Sequence, residues 1–208
     1  ALIAKQPDLG TALVLGAIYL GLSFVAGLPY WFLVSLVAGA VTILPHTLKQ
    51  YQKDRLLIFT HPEHDPMGWG YHLLQSRTTI GSGQMWGQGL FRGSMSQNGF
   101  VPENWTDFIF SVIGEELGMV GCVGVVLLSV MFCAQLISVV YASRDRFTAL
   151  AAAGVVVMLG FQWLVNLSMT IGLAPVVGIP LPFFSYGGSA MFVNLASVGV
   201  VLRARRDC

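Results

Sequence analysis

The stretch that decides the fold is residues 117–141, LGMVGCVGVVLLSVMFCAQLISVVY, which contains no charged residue. A helix that crosses a bilayer needs about 20 predominantly apolar residues, and this run is long enough. In the whole chain, 55% of residues are hydrophobic and only 10% are charged, whereas soluble domains carry roughly 25% charged residues. The sequence therefore predicts an all-α polytopic membrane protein.

Five apolar stretches are long enough, or nearly so, to span a membrane. The predicted helices cover residues 9–26, 30–44, 106–141, 147–173 and 183–202, and a long polar loop, partly ordered, covers residues 46–106. Between the last two helices, residues 174–189 contain three prolines and two adjacent glycines. Irregular backbone of this kind is tolerated at membrane depth only where it is buried in protein or lines a wet cavity.

Basic residues predict the orientation of these helices, because cytoplasmic loops carry an excess of Lys and Arg. Arg144 and Arg146 lie between the third and fourth helices, and three arginines follow the fifth within residues 203–206. Both places are therefore predicted to be cytoplasmic, which puts the loop 46–106 outside. The basic residues within 49–55 then lie on the outer side, but this rule is weakest for long segments.

Two classes of function are disfavoured by composition. A net charge of +1 produces no strong field for nucleic acid, so no nucleic-acid partner is expected. The cysteines and most histidines show neither a disulfide framework nor metal-ligand spacing. They are Cys122, Cys133, Cys208, His61, His64 and His72.

Asp107 marks the point at which the polar loop meets the third helix. A carboxylate at a membrane boundary costs free energy unless it is solvated, paired or functional, so this position predicts a functional site. Glu115 lies about 80° round an ideal helix from Asp107, and Glu116 lies on the opposite face. For these two residues, pairing with polar groups inside the bundle is as good an interpretation as chemistry.

Six ordered motifs resemble one known family, the SEDS proteins (shape, elongation, division and sporulation). They are Gln6-Pro-Asp-Leu-Gly-Thr-Ala, Asp65-Pro-x-Gly-x-Gly-Tyr-His-x-x-Gln-Ser, Ile80-Gly-Ser-Gly, Pro102-Glu-x-x-Thr-Asp-Phe-Ile-Phe, Gly114-Glu-Glu-Leu-Gly and Pro180-x-Pro-Phe-x-Ser-Tyr-Gly-Gly-Ser. The resemblance covers essentially the whole chain and is closer to the RodA elongation branch than to the FtsW division branch. Since members have about ten spans, residues 1–208 are expected to be the C-terminal part of one transmembrane bundle.

The resemblance implies a peptidoglycan glycosyltransferase that polymerises lipid II. A sugar hydroxyl attacks the anomeric carbon of the donor and displaces a lipid pyrophosphate. This reaction needs a carboxylate to take the proton of the hydroxyl and positive charge at the departing pyrophosphate. Asp107 matches the essential acid of the family and is assigned the role of general base in an inverting transfer. The resemblance also implies a divalent cation, Mg or Mn.

Other positions matching the family motifs are expected to bind substrate or line the cavity. Asp8 matches a family acid that faces the outer cavity, although an Asp before Leu-Gly also suits a helix N-cap. Arg77 could contact pyrophosphate or be an ordinary surface charge. Glu103 could bind a cation or the acceptor, or could favour the start of a helix through its charge. The remaining positions are Gln75, Ser76, Gln97, Thr106 and Ser185; Ser185 is expected to pack beside a cavity and not to act as a nucleophile.

The family further implies a location in the bacterial inner (cytoplasmic) membrane, with an active site facing outward. A class B penicillin-binding protein and membrane lipids are the expected partners. Two alternatives remain open: a flippase or transporter of a lipid-linked precursor, since membrane acids also serve transport, and a non-catalytic scaffold of the wall-synthesis complex. The 208-residue chain by itself is expected to be inactive, because half a bundle would leave its small-residue faces open to lipid.

Overall fold

The computed structural model describes residues 9–47, 58–59, 68–100 and 103–206. The regular elements among the described residues are all helices, with no β-strand, in agreement with the predicted all-α class. In chain order, the helices are α1 (Leu9–Val25), α2 (Tyr30–Thr47), α3 (Trp69–Ser82), α4 (Ser94–Gln97), α5 (Ile109–Ala142), α6 (Arg146–Thr170) and α7 (Gly188–Arg206). Asp8 lies outside the described residues, as do the basic residues predicted at 49–55.

Several bounds differ from those predicted. The long polar loop, predicted at 46–106, contains helices α3 and α4. Helix α6 ends at Thr170 and not near residue 173, because the chain turns at Gly172, which has a φ of 77°. Helix α7 starts at Gly188 and not at residue 183, since Phe183 has a φ of 67°, which lies outside the right-handed helical region. The five membrane spans stay a prediction.

Two helices, α5 and α6, are each long and apolar enough to cross a membrane. Helices α1 and α2 are shorter apolar helices. Asp145 begins α6 as its N-cap, where its Oδ2 accepts hydrogen bonds from Thr148 N at 3.1 Å and Thr148 Oγ1 at 3.0 Å. These bonds to the charged form lower the pKa of Asp145.

Helix α6 is the centre of the bundle and packs against α1, α5 and α7. Its Trp163 ring meets Phe132 of α5 and Phe183, which precedes α7, with ring centroids 5.8 and 6.2 Å away. The contact with α1 is close because Gly21 faces Val157. Small residues at such contacts allow membrane helices to approach each other.

Helix α5 is broken at Gly118, where φ is 66° and ψ is −161°. This backbone region is essentially restricted to glycine. The break divides the helix into residues 109–117, which follow Asp107, and residues 119–142, which form the long apolar part. The acid is therefore carried on a short helical segment that can take a different direction from the apolar part.

Candidate functional site

Asp107 lies in the turn that leads into α5, immediately before the buried Phe108. The side chain of Asp107 is half-buried. The backbone of Gly178 approaches its carboxylate so closely that a Cβ there would lie 3.3 Å from Asp107 Oδ2. Gly178 has a φ of 77°, a conformation that favours glycine. The segment between α6 and α7 therefore forms one wall beside the acid.

A fully buried amide on α6 connects this wall to the acid. Asn166 Nδ2 donates to the backbone oxygen of Asp107 at 2.9 Å and to that of Ile179 at 2.7 Å. One side chain thus satisfies two buried carbonyl groups from two different segments. Sequence reasoning missed Asn166, although an amide inside a predicted apolar span is the kind of residue that often marks a functional region.

Ser185 provides a second connection between the same two segments. Its hydroxyl donates to Thr106 O at 2.6 Å and accepts from Leu181 N at 2.7 Å. The neighbouring amide of Tyr186 donates to Trp105 O at 2.8 Å. Ser185 is buried, and its hydroxyl is occupied by backbone groups, so the predicted packing role describes its observed position.

Glu103 and Thr106 form the turn that precedes the acid. Glu103 has a φ of 51°, and its backbone oxygen accepts from the amides of Thr106 and Phe108, both at 3.2 Å. Its exposed carboxylate accepts from Thr106 Oγ1 at 3.1 Å. The structure thus brings three predicted site residues, Glu103, Thr106 and Asp107, into one turn, with Ser185 bonded to it.

Ser76 is located in the interior of the helix bundle. It is fully buried on α3, where its hydroxyl donates to Thr170 O at 2.7 Å and lies 2.6 Å from Ser111 Oγ. Because a hydroxyl has one proton, Ser111 is the donor of the second bond. Ser76 therefore joins α3, α5 and α6, and the expectation that it binds substrate or lines the cavity stays a prediction.

Arg77 binds the C-terminal end of α6. Its Nε donates to Ile171 O at 3.2 Å and its Nη2 donates to Gly172 O at 2.7 Å. Basic side chains are favourable at the C-terminus of a helix because they satisfy its free carbonyls and its dipole. In this position, the guanidinium is engaged by protein backbone. Neither of the two alternatives weighed from the sequence described this role.

The other two predicted cavity residues are less constrained. Gln75 is half-buried on α3. Gln97 is exposed at the end of α4, and its Nε2 donates to Phe91 O. Gln97 also lines a groove of about 280 Å³ between the start of α5 and residues 90–97 and 104–105. The groove has apolar walls, formed on α5 by Ile109, Val112 and Ile113, and Glu116 is its acidic residue.

Glu115 is fully buried and binds the N-terminus of α4. Its Oε1 accepts from Met95 N at 2.7 Å and its Oε2 accepts from Ser96 N at 3.0 Å. Carboxylates are favourable at helix N-termini, where backbone amides lack partners. Of the two interpretations left open for Glu115, pairing with polar groups is the one observed.

The acidic residues of the site do not form a self-sufficient metal centre. Among the residues that the structure describes, no group of three or more His, Cys, Asp or Glu side chains is placed to hold an ion. Mg²⁺ is often held by one or two carboxylates together with substrate phosphates. Asp107 and Glu103 therefore fit a cation only if pyrophosphate oxygens supply its other ligands.

The apolar helices and the acid-bearing turn define a polytopic helical membrane protein with a half-buried carboxylate beside an irregular segment. The family model described as "Cell cycle protein", for FtsW, RodA and SpoVE, matches residues 1–208. The chain belongs to this family, as its motifs predicted. Members are membrane proteins, so the chain has a membrane location.

Two curated relatives and two solved structures show the extent of the similarity. The chain is 40% identical over 205 residues to peptidoglycan glycosyltransferase MrdB of Escherichia coli K12, covering 97% of this chain and 55% of that protein. It is 40% identical over 178 residues to peptidoglycan glycosyltransferase RodA of Treponema pallidum, covering 83% of this chain and 41% of that one.

Among solved structures, a chain described under "Structural coordination of polymerization and crosslinking by a peptidoglycan synthase complex" matches with a TM-score of 0.79 and 38% identity. That match covers 99% of this chain and 58% of the other. RodA of Thermus thermophilus matches with a TM-score of 0.62 and 34% identity, covering 97% and 50%. The chain thus spans about half the length of the curated relatives that it matches.

Proposed function

We propose that the protein to which this chain belongs is a peptidoglycan glycosyltransferase that polymerises lipid II, with Asp107 as its general base. The names of two relatives, MrdB and RodA, give their activity as peptidoglycan glycosyltransferase. The observation that carries the proposal is the placement of Asp107, whose carboxylate is half-buried beside Gly178 while Asn166 holds its backbone. A carboxylate held in this way is oriented without losing its access to a substrate.

The proposed reaction is a single displacement. The acceptor hydroxyl forms a bond to the anomeric carbon of the donor, and the bond from that carbon to the pyrophosphate oxygen breaks. Asp107 takes the hydroxyl proton, and the pyrophosphate leaves with the bonding electrons. Because one direct attack inverts the anomeric centre, a single base is sufficient, and pyrophosphate needs little protonation.

The proposed reaction also needs a positive charge that stabilises the departing pyrophosphate. Arg77 is engaged at the end of α6, so it does not fill this role in the described structure. A divalent cation, Mg or Mn, held by pyrophosphate oxygens together with Glu103 would neutralise the departing charge. Loss of polymerisation on chelation, and its recovery with Mg or Mn, is the corresponding measurement.

The wider setting of the reaction is also a proposal. We place the site on the outer face of the bacterial cytoplasmic membrane, because the arginines near the other ends of α5 and α7 suit the cytoplasm. The solved relative in a peptidoglycan synthase complex supports a crosslinking partner, which we propose to be a class B penicillin-binding protein. Within the family, we assign the chain to the RodA-like elongation branch.

The test is polymerisation of lipid II by the full-length protein with its partner. Asp107→Asn should lower the rate by at least 100-fold, since a general base contributes about 10²–10⁴, while its melting temperature stays close to that of the wild type. Asp145→Asn is the control, because it makes the same chemical change at an exposed carboxylate outside the site and keeps an N-capping side chain. Wild-type activity in Asp107→Asn would exclude Asp107 as the base.

A further inference from the structure

We propose that the loop between α3 and α4 is seated in the lipid interface of the membrane, with Trp86 and Phe91 as its anchors. This loop, residues 83–92, is called the Trp86 loop below. The inference concerns an interaction surface whose partner is the boundary between lipid headgroups and acyl chains. It does not depend on the assignment of Asp107 as a base.

The backbone of the Trp86 loop is bonded to α5 at the break. In a regular helix, the backbone amides and carbonyls around Gly118 would bond to one another. Here, four of them bond to the loop instead. Two loop amides donate to α5 carbonyls, and two α5 amides donate to loop carbonyls. These bonds are Gln88 N to Glu115 O at 2.9 Å, Gly89 N to Glu116 O at 3.0 Å, Met119 N to Gln84 O at 2.9 Å and Val120 N to Met85 O at 3.3 Å.

Three glycines allow this close approach. A Cβ at Gly83 or Gly87 would collide with the backbone of α5, and one at Gly118 would collide with the backbone of the loop. Gly87 and Gly118 also have positive φ values of 78° and 66°. The position of the loop along α5 is therefore fixed beside residues 115–120.

Charges locate the membrane boundary along α5. No charged residue occurs between Glu116 and Arg144, and this interval must contain the hydrocarbon-spanning part. A core of about 30 Å corresponds to about 20 helical residues. Centring that length between the two charged ends places one boundary of the hydrocarbon at about residues 120–121. The hydrogen bonds then hold the Trp86 loop at the same level.

The side chains of the Trp86 loop suit this level. Trp86 is 81% exposed and Phe91 is 79% exposed, and both Met85 and Leu90 are exposed as well. Trp is enriched at membrane interfaces, where an amphipathic ring meets the headgroups. The exposed Arg92 places a cation beside them, as anionic headgroups favour.

The surface next to the loop points to lipid as the partner. Where the loop meets α5, Met119 and Val120 are exposed, and exposed apolar residues continue along the helix through Val123 and Leu127. The loop therefore extends the apolar surface of a membrane-spanning helix up to the headgroup level. A continuous surface of this composition is what the edge of a bilayer would cover.

Depth-dependent quenching tests the proposal in the full-length protein. With the native cysteines replaced, Trp86→Cys and Phe91→Cys are labelled separately with an environment-sensitive fluorophore. The protein is reconstituted in vesicles of phosphatidylcholine and phosphatidylglycerol, with or without brominated acyl chains. Brominated lipid should reduce both emissions at least twofold, and aqueous iodide should have little effect.

Asn98→Cys is the matched control, because Asn98 is an exposed polar residue just beyond α4. Its label should be quenched by iodide and not by brominated lipid. If the labels at positions 86 and 91 behave like that control, the loop lies in water and the proposal is wrong.

A second measurement separates lipid from protein as the covering partner. The photoreactive residue benzoylphenylalanine replaces Trp86 or Phe91, and the products formed in native membranes are analysed by mass spectrometry. Adducts with the mass of a phospholipid support the proposal. Adducts only with another segment of the same chain, or only with another protein, would overturn it. Because both side chains are exposed, neither replacement disturbs the core.

Discussion

At the scale of single residues, the site depends on how the turn around Asp107 is held. Asn166 supports its backbone, Ser185 supports that of Thr106, and Gly178 leaves space beside the carboxylate. Buried carbonyls that lose their partners cost about 1–3 kcal/mol each. Small polar residues distant in sequence therefore determine the orientation of the acid.

The variant Asn166→Leu tests this support, because it keeps the size of the side chain and removes both donors. We expect a loss of stability of about 1–3 kcal/mol, and a fall of at least tenfold in polymerisation per folded molecule without a matching rise in KM. Thr170→Val is the control, since the Thr170 hydroxyl is equally buried but bonds only carbonyls of its own helix. Equal activity losses in the two variants would indicate general destabilisation.

At the scale of elements, the break in α5 at Gly118 is stabilised by hydrogen bonds to a neighbouring loop. Two carbonyls and two amides of α5 beside the break are paired with the Trp86 loop, so these groups keep hydrogen-bond partners outside the helix. The same break orients residues 109–117, which connect the apolar span to the acid. Helix direction, loop depth and the position of the acid are therefore coupled at one glycine.

Gly118→Ala should disrupt this coupling. The added Cβ would collide with Gly87 and Met85, and the backbone conformation at φ 66° costs a non-glycine residue about 1–3 kcal/mol before any collision is counted. Gly124→Ala lies in the same helix with open space around it and should be tolerated. The melting temperature of the full-length protein in detergent is the measurement; equal values for the two variants would contradict a structural role for the break.

At the scale of the whole molecule, α6 organises the bundle by contacting α1, α5 and α7. Lipid is as apolar as the helix surfaces, so close packing of small residues must hold such helices together. The contact between Gly21 of α1 and Val157 of α6 is of this kind.

Gly21→Leu should weaken the contact between α1 and α6. A Cβ at this position would already lie 2.5 Å from Val157 Cγ2, and overpacking typically costs about 1–3 kcal/mol. Gly16→Leu is the control on the same helix, where nothing lies within 4 Å. Disulfide crosslinking between cysteines introduced at Leu22 and Gly154 should fall in Gly21→Leu alone; unchanged crosslinking would show that this contact does not hold α1 in place.

Much of the architecture could be predicted from the chain. Apolar runs such as residues 117–141 determine where helices form, because a membrane leaves the backbone few alternatives to a helix. The motifs identified the family and led to Asp107, and a resemblance of six ordered motifs is specific.

Tertiary structure alone decided what the polar side chains near Asp107 do. From the sequence, Ser76 was expected to bind substrate or line the cavity, whereas Arg77 and Glu115 each had two possible roles. The fold uses all three side chains to bind backbone or another helix. Asn166 became part of the site only when α6 brought it beside Asp107 and Ile179. The physical reason is that a hydrogen-bond partner is chosen by proximity in space, and residues separated by tens of positions are brought together only by packing.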